Sequence, residues 1–246
     1  MKLKGKTVFI TGAAKRIGAE IARYFAENGA NVCIHYNSSE SEALNLEKEL
    51  LKFRVKVKRY SCDLVNTKKA VSVMQTAISD FGKIEFLINS ASVFKKNSIL
   101  KSTEEDFKRD FAIHTRTPFF LMQTFAKQKF ENEEGFILNI IDKNTVRKSS
   151  SFTTYMLSKK SLQEITTFAA VEFAPFIRVN AISPGFILEE EGASKTEEYY
   201  EKKIAKIPLQ RKGETEDIIK ALNFLIKTNY ITGENIRVDG GSFLVS

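Results

Sequence analysis

Tyr155 and Lys159 stand four residues apart, in a segment from Thr153 that has the pattern of an amphipathic helix. Residues at this spacing lie on one face of a helix, so the phenol and the ammonium are expected to be neighbours. A neighbouring cation stabilises the phenolate and lowers the pKa of a tyrosine, which makes it a usable proton donor near neutral pH. The pair predicts acid–base chemistry at Tyr155, although this spacing alone often occurs by chance.

A phosphate-binding turn is predicted at residues 11–18, which read TGAAKRIG. The segment lies between an apolar run and an amphipathic one. At such a strand-to-helix turn, backbone N–H groups and the positive helix end can hold a phosphate. Gly12 suits a tight turn and Gly18 suits close helix packing, whereas Arg16 is expected to project towards the pyrophosphate or its neighbour. An ordinary strand-to-helix turn is the alternative.

The end of the second predicted strand indicates which dinucleotide binds. Residues 36–39 read YNSS, with no acid before Glu40. An NAD site generally has an acid here for the ribose 2′-OH, and that acid would repel a 2′-phosphate. Hydroxyl and amide donors near two basic residues suit a phosphate, so NADPH is the predicted cofactor; capping of the next helix by Ser38 is compatible with this role. The residues predicted to bind it from these two segments are Gly12, Lys15, Arg16, Ile17, Tyr36, Asn37 and Ser38.

Alternating segment types predict the fold. Seven short apolar, β-rich runs occupy residues 7–11, 31–36, 55–61, 86–89, 136–141, 179–182 and 235–238. Amphipathic stretches occupy residues 17–28, 39–52, 67–81, 104–130, 153–173 and 215–227. This alternation predicts an α/β, single-domain, Rossmann-type doubly wound parallel sheet of about seven strands, with helices on both faces. Residues 1–246 form the domain, with a mobile helical substrate flap at about 186–208.

Composition excludes several other classes. The net charge is +8, but the 38 basic residues are spread among 30 acidic ones, which favours attraction of small anions over nucleic-acid binding. No run of about 18 apolar residues and no signal-peptide pattern occurs, so no membrane association and a cytoplasmic location are expected. Cys33 and Cys62 are expected to be reduced core residues, and no metal site is expected.

Several motifs together resemble the short-chain dehydrogenase/reductase family over essentially the whole chain. Besides the turn and the Tyr155–Lys159 pair, they are CDL at 62–64, NSAS at 89–92, RVNAISPG at 178–185 and VDGG at 238–241. The resemblance implies that Tyr155 donates a proton and that Lys159 binds the nicotinamide ribose. It also implies a homotetramer and further cofactor contacts from Asp63, Leu64, Asn89, Ser90, Ala91, Pro184, Gly185 and Ile187.

Departures from the family pattern bear on the substrate. Asp142 stands thirteen residues before Tyr155, where most members have a serine that holds a substrate carbonyl. A carboxylate instead accepts hydrogen bonds from the tyrosine hydroxyl and from N–H groups of a heterocycle, which favours a C=N substrate over a ketone. Arg16, Ser92 and Phe94 resemble the pteridine reductases, and this resemblance implies that Arg16 contacts cofactor and pterin, Ser92 bonds the pterin and Phe94 stacks on it.

His114 replaces the family's usual asparagine, which anchors a water for the lysine. Histidine here resembles the dihydromonapterin reductase branch, and an inert residue bonded to a backbone carbonyl is the alternative. The sequence thus predicts NADPH-dependent reduction of a dihydropterin of the biopterin, monapterin or folate type, with Asp142, Tyr155 and Lys159 as catalytic residues. Two alternatives remain, a carbonyl or 3-oxoacyl-thioester reductase and a non-catalytic NADP-sensing protein.

Overall fold

A computed structural model describes residues 1–128, 130, 134–146, 151–188 and 196–245 of the chain. Within these ranges the apolar runs form seven strands: β1 (Thr7–Thr11), β2 (Asn31–Tyr36), β3 (Val57–Ser61), β4 (Phe86–Asn89), β5 (Gly135–Ile140), β6 (Ile177–Pro184) and β7 (Asn235–Val238). They pair in parallel in the order β3-β2-β1-β4-β5-β6-β7. The central strands are buried on both faces, which is why they read as continuous apolar runs.

Helices cover both faces of this sheet. They are α1 (Arg16–Glu27), α2 (Glu40–Leu50), α3 (Thr67–Phe81), α4 (Glu104–Phe111), α5 (Thr117–Ala126), α6 (Thr153–Glu172), α7 (Glu197–Ile204) and α8 (Thr215–Lys227). One apolar layer holds residues of α1, α2 and α8, and the other holds residues of α3, α5 and α6. The predicted doubly wound α/β class is confirmed.

The strand order reverses between β1 and β4, and this switch positions the site. Thr11 and Asn89, the last residues of these strands, lie side by side in the register. In open parallel sheets a crevice forms outside the carboxyl ends of the strands at such a point, because consecutive crossovers run to opposite sides.

Several predicted boundaries differ from the structure. The helix predicted over residues 104–130 is interrupted by a π-helical turn at Ala112–Arg116 and ends at Ala126. The third strand begins at Val57 rather than at residue 55, and β6 is longer than predicted. Within the predicted flap, α7 is helical and residues 189–195 lie outside the described ranges, so its mobility stays a prediction.

Across the described ranges, no helix combines the length and apolar character needed to cross a bilayer. The same part of the chain contains no cluster of three or more potential metal ligands among its His, Cys, Asp and Glu residues. Cys33 and Cys62 are buried and not joined in a disulfide, in agreement with the prediction for both.

Candidate active site

A cavity of about 770 Å³ opens at the carboxyl ends of the strands, around the switch between β1 and β4. Every residue predicted to bind cofactor or substrate lines it, with the exception of Asn89. Asn89 is buried, and its Nδ2 donates a hydrogen bond to Oδ1 of Asn139 at 2.8 Å. The Asn89 side chain thus ties β4 to β5, and its contact with the cofactor stays a prediction.

At two positions of the turn after β1, no residue larger than glycine fits. Gly12 has φ +65°, and a Cβ there would lie 2.7 Å from Cα of Ala91. A Cβ on Gly18 would lie 2.2 Å from the carbonyl oxygen of Gly12, so the start of α1 packs directly on the turn. Because neither glycine carries a side chain, the backbone N–H groups of the turn can face a ligand at the positive end of α1.

Arg16 has φ +56°, a left-handed conformation that glycine adopts easily and other residues adopt at a cost. Its side chain is exposed and lines the cavity. The turn thus keeps a glycine-like backbone at a position that carries a long cation. Strain of this kind concentrates at functional positions, which makes Arg16 a candidate ligand contact.

His35 supports the turn from beneath. Its Nδ1 accepts a hydrogen bond from the backbone N–H of Gly12 at 3.2 Å, so the proton of the neutral ring lies on Nε2, which donates to the Cys62 carbonyl at 3.1 Å. Burial lowers the pKa of His35 to about 4. The neutral ring therefore links the phosphate-binding turn to the end of β3.

We expect the free energy of unfolding to decrease as pH falls from about 6.5 to about 4. His35 and His114 are the chain's two histidines, and burial lowers the pKa of His35 to about 4 and that of His114 well below its usual range. Between these pH values the unfolded chain binds more protons than the folded one, so stability present above pH 6.5 is lost on acidification. Urea unfolding at several pH values measures this.

His35→Asn is the matched control, since its Oδ1 can still accept from Gly12 but does not titrate. Its stability is expected to fall less steeply than that of the wild type over the same pH range. An identical slope in both proteins would contradict the assignment to His35.

Asp142, Tyr155 and Lys159 meet at the floor of the cavity. The Tyr155 hydroxyl donates a hydrogen bond to Oδ2 of Asp142 at 2.9 Å. Lys159 Nζ donates to the carbonyl oxygen of Ile140 at 2.7 Å and lies 6.0 Å from the Tyr155 ring centre. The structure thus brings the three predicted catalytic groups together, with the carboxylate rather than the ammonium bonded to the phenol.

The prediction that Lys159 lowers the pKa of Tyr155 is wrong for this arrangement. Burial, followed by the charge of Asp142 and its hydrogen bond, raises the Tyr155 pKa well above its usual value. Burial also lowers the pKa of Lys159 to about 8, against the opposing effect of Asp142. Tyr155 therefore stays protonated at neutral pH and donates its hydrogen bond to Asp142, but in this arrangement it is a weaker acid than the sequence predicts.

An aromatic wall stands beside Tyr155. The Phe94 ring stacks on Phe152 at 4.2 Å between ring centres and meets Tyr155 edge-on at 4.9 Å. Phe94 is still 48% exposed, so it presents ring surface to the cavity. Sequence reasoning missed Phe152, although an aromatic residue immediately before the helix of Tyr155 was a usable signal.

His114 lies in the π-helical turn, where it is buried. Its Nε2 lies 3.0 Å from Oγ of Ser92 and 3.2 Å from the backbone nitrogen of Val93, and its Nδ1 lies 2.9 Å from Oγ of Ser158. Burial, then the charges of Lys159 and Arg109, lower its pKa well below the usual range. The side chain thus connects the loop after β4 to α6, the helix that carries Tyr155.

Comparison with known proteins gives three findings. Residues 12–242 match a family model described as enoyl-(acyl carrier protein) reductase. The 3-oxoacyl-(acyl-carrier-protein) reductase FabG of Staphylococcus epidermidis is 28% identical over 242 residues, which are 97% of this chain and 99% of that protein. An uncharacterised oxidoreductase of Thermotoga maritima is 31% identical over the full length of both chains.

Two solved structures resemble the fold closely. FolM alternative dihydrofolate reductase 1 from Brucella canis, complexed with NADP, has a TM-score of 0.92 and 30% identity, with 100% of this chain and 97% of that chain covered. The same protein from Brucella suis, also with NADP, has a TM-score of 0.89 and 31% identity, with 98% and 96% covered.

Proposed function

Because the chain belongs to the short-chain dehydrogenase/reductase family, we propose that it uses NADPH to reduce a dihydropterin or dihydrofolate to the tetrahydro form. The hydrogen bond between the Tyr155 hydroxyl and Asp142, at 2.9 Å, carries this proposal. A carboxylate beside the proton donor accepts N–H groups but offers no donor to a carbonyl. The similarity to two FolM dihydrofolate reductases supports the same substrate class.

The described residues fit NADP. The glycine cradle of Gly12 and Gly18 leaves backbone open at the start of α1, where a pyrophosphate is favoured. The rim formed by residues 36–39 lines the cavity without an acidic side chain, and Lys15 and Arg16 line it nearby. A rim of this composition suits a 2′-phosphate, and the relatives from Brucella were crystallised with NADP. When bound, the cofactor supplies the hydride from its nicotinamide.

The chain's own residues supply a proton and orientation. Tyr155 holds its proton on the phenol oxygen at neutral pH, and Asp142 accepts a hydrogen bond from that hydroxyl and fixes its direction. Phe94 offers a flat surface on which an aromatic ring can stack beside Tyr155. Lys159, held by the Ile140 carbonyl, places a positive charge beneath both groups. Catalysis here rests on positioning and proton supply.

The experiment is an NADPH oxidation assay with dihydropterin, dihydrofolate and a 3-oxoacyl thioester side by side. Turnover of dihydropterin or dihydrofolate is expected, and turnover of the thioester alone would overturn the proposal.

Asp142→Ser is the informative variant, because the serine hydroxyl can donate a hydrogen bond to a carbonyl. It is expected to lose pterin turnover and to gain turnover of the thioester.

A 3-oxoacyl-thioester reductase is the second candidate. The observation in its favour is the similarity to FabG, which covers nearly all of both chains. Tyr155 and Lys159 would serve that reaction equally well, but Asp142 would place a carboxylate where the substrate carbonyl needs a donor. The same assay separates the two candidates.

Asn37→Asp is expected to shift cofactor preference towards NADH. Asn37 lines the cavity at the acid-free rim, so a carboxylate there would repel a 2′-phosphate and accept hydrogen bonds from a ribose 2′-OH. The ratio of kcat/KM for NADPH to that for NADH measures the effect. Asn28→Asp makes the same charge change on an exposed residue outside the cavity and is expected to leave the ratio unchanged. An unchanged ratio in Asn37→Asp would place the phosphate elsewhere.

We also propose that the chain forms a homotetramer through α5 and α6. Large apolar side chains are exposed on these helices, among them Phe119, Phe168 at 73% exposure and Val171 at 82%. Burial of such surface favours association. Light scattering is expected to give about four times the chain mass of 27.9 kDa. A monomeric mass would contradict the proposal.

A further inference from the structure

The protonation of the His114 ring follows from its neighbours. The backbone N–H of Val93 can only donate, and it points at Nε2 of His114 at 3.2 Å. Nε2 must therefore carry a lone pair, so the proton of the neutral ring lies on Nδ1.

The contacts of Nδ1 agree with this tautomer. Nδ1–H donates to Oγ of Ser158 at 2.9 Å, and that hydroxyl donates its own proton to the carbonyl oxygen of Tyr155 at 2.7 Å. These two bonds run from His114 through Ser158 to the backbone of α6, and the ring also forms a hydrogen bond with the backbone of Asp110 on α4. The ring is thus locked in one tautomer by partners on two elements.

The role of the Ser92 hydroxyl towards His114 is then set. Its Oγ lies 3.0 Å from Nε2, which can only accept, so Ser92 is the donor in this contact. Ser92 also lines the cavity and forms a hydrogen bond with the Tyr155 hydroxyl, which donates its own proton to Asp142 and therefore accepts from Ser92. His114 and Tyr155 are thus the acceptors for the one Ser92 proton, and with the proton on either of them the Ser92 oxygen presents only lone pairs to a ligand. Together, Ser92 and Asp142 place two hydrogen-bond acceptors at this end of the cavity.

We propose that His114 is a positioning residue that holds Ser92 as an obligate hydrogen-bond acceptor, so that the site selects a ring with N–H or amino donors facing both Ser92 and Asp142. This inference rests on the proposed function and deepens it. A carbonyl at the same place meets two acceptors, Ser92 and Asp142. A nitrogen heterocycle with adjacent donors satisfies both oxygens, and leaving either unpaired costs affinity.

The test is a double-mutant cycle with His114→Phe and Ser92→Ala. His114→Phe keeps a flat ring but removes the Nε2 acceptor, so the Ser92 hydroxyl is no longer held from this side and can turn its proton towards the ligand. The dissociation constant of dihydrobiopterin is measured with NADP⁺ saturating, a combination that allows no turnover. Each single variant is expected to weaken binding about tenfold, and the double variant no more than either one.

Two further readouts separate positioning from a general structural role. His114→Gln, whose amide oxygen can accept from Val93 and Ser92, is expected to restore most of the affinity. NADP⁺ affinity and the melting temperature of Ser92→Ala are expected to match the wild type. If His114→Phe does not fold, His114→Asn completes the cycle, since its shorter side chain leaves the place of Nε2 empty.

The outcomes are distinct. Factors that multiply in the double variant, while the wild type binds dihydrobiopterin, would overturn this inference and leave the proposed function standing. A wild type that binds the 3-oxoacyl thioester but not dihydrobiopterin would overturn both, because an acceptor-only Ser92 predicts a donor-bearing ligand. Equal loss in the single and double variants, with rescue by His114→Gln, supports the assignment.

Discussion

Tyr155→Phe is expected to lower the turnover of dihydropterin at least about a hundredfold, the usual scale for the loss of a general acid, while NADPH binds almost normally. The phenol faces the cavity from α6, and its hydroxyl donates a hydrogen bond to Asp142. Phenylalanine keeps the ring that meets Phe94 edge-on and removes only the hydroxyl group. Steady-state turnover with dihydropterin and NADPH binding by fluorescence measure the two effects separately.

Tyr230→Phe is the matched control for this change. Tyr230 is 99% exposed and lies outside the cavity, so the same loss of a hydroxyl there is expected to leave turnover unchanged. Full turnover in Tyr155→Phe would remove Tyr155 from the role of proton donor.

The second large effect is expected for Arg16→Gly, which should weaken dihydropterin binding about tenfold or more with the cofactor saturating, and weaken the cofactor as well. A charge-assisted hydrogen bond contributes roughly 1.5–3 kcal/mol, which corresponds to at least this factor. Because the backbone at this position has φ +56°, glycine fits it without strain, so the variant is expected to melt at the same temperature or a higher one. Loss of ligand affinity without loss of stability identifies a residue kept for binding.

Arg54→Gly provides the control. Arg54 also has a positive φ, +58°, and is exposed after α2, away from the cavity. Arg54→Gly makes the same change of residue type in the same backbone conformation, and it is expected to leave the binding of cofactor and dihydropterin unchanged. Equal or tighter binding of both ligands in Arg16→Gly would show that this arginine is a tolerated substitution. The pterin assignment would then depend on Asp142, Ser92 and Phe94.

The fold was predictable because each element carries its own signal. Buried parallel strands such as β1 and β4 are continuous apolar runs, and the four-residue strand β4 was predicted at its observed bounds. Helix α3 was also predicted correctly, since it begins after the capping residue Asn66 and ends before Gly82. The residues of the π-helical turn have no periodicity that differs from the helices on either side, so the apolar pattern predicted one continuous helix there.

The sequence predicted most of the residues that line the cavity, but not the electrostatics among them. Spacing placed Tyr155 and Lys159 on one face of α6, and the structure has both in the cavity wall. The pKa of Tyr155 depends on burial and on a residue from another element, Asp142, neither of which spacing reveals. For the same reason the stacking of Phe152 on Phe94, which joins two distant segments, could not be read from the sequence.

Between α4 and α5, at the π-helical turn Ala112–Arg116, the number of residues matters more than which residues they are. The turn joins α4, which packs on α6, to α5, which packs on α3, and so sets the angle between two packed faces. Each residue of a helix advances the face by about 100°, so deletion of one residue here would turn one helix away from its neighbour. Substitutions can be absorbed one side chain at a time, whereas a single insertion or deletion would move the whole helix. Protein engineering of this region should therefore change residue identity and keep the number of residues fixed.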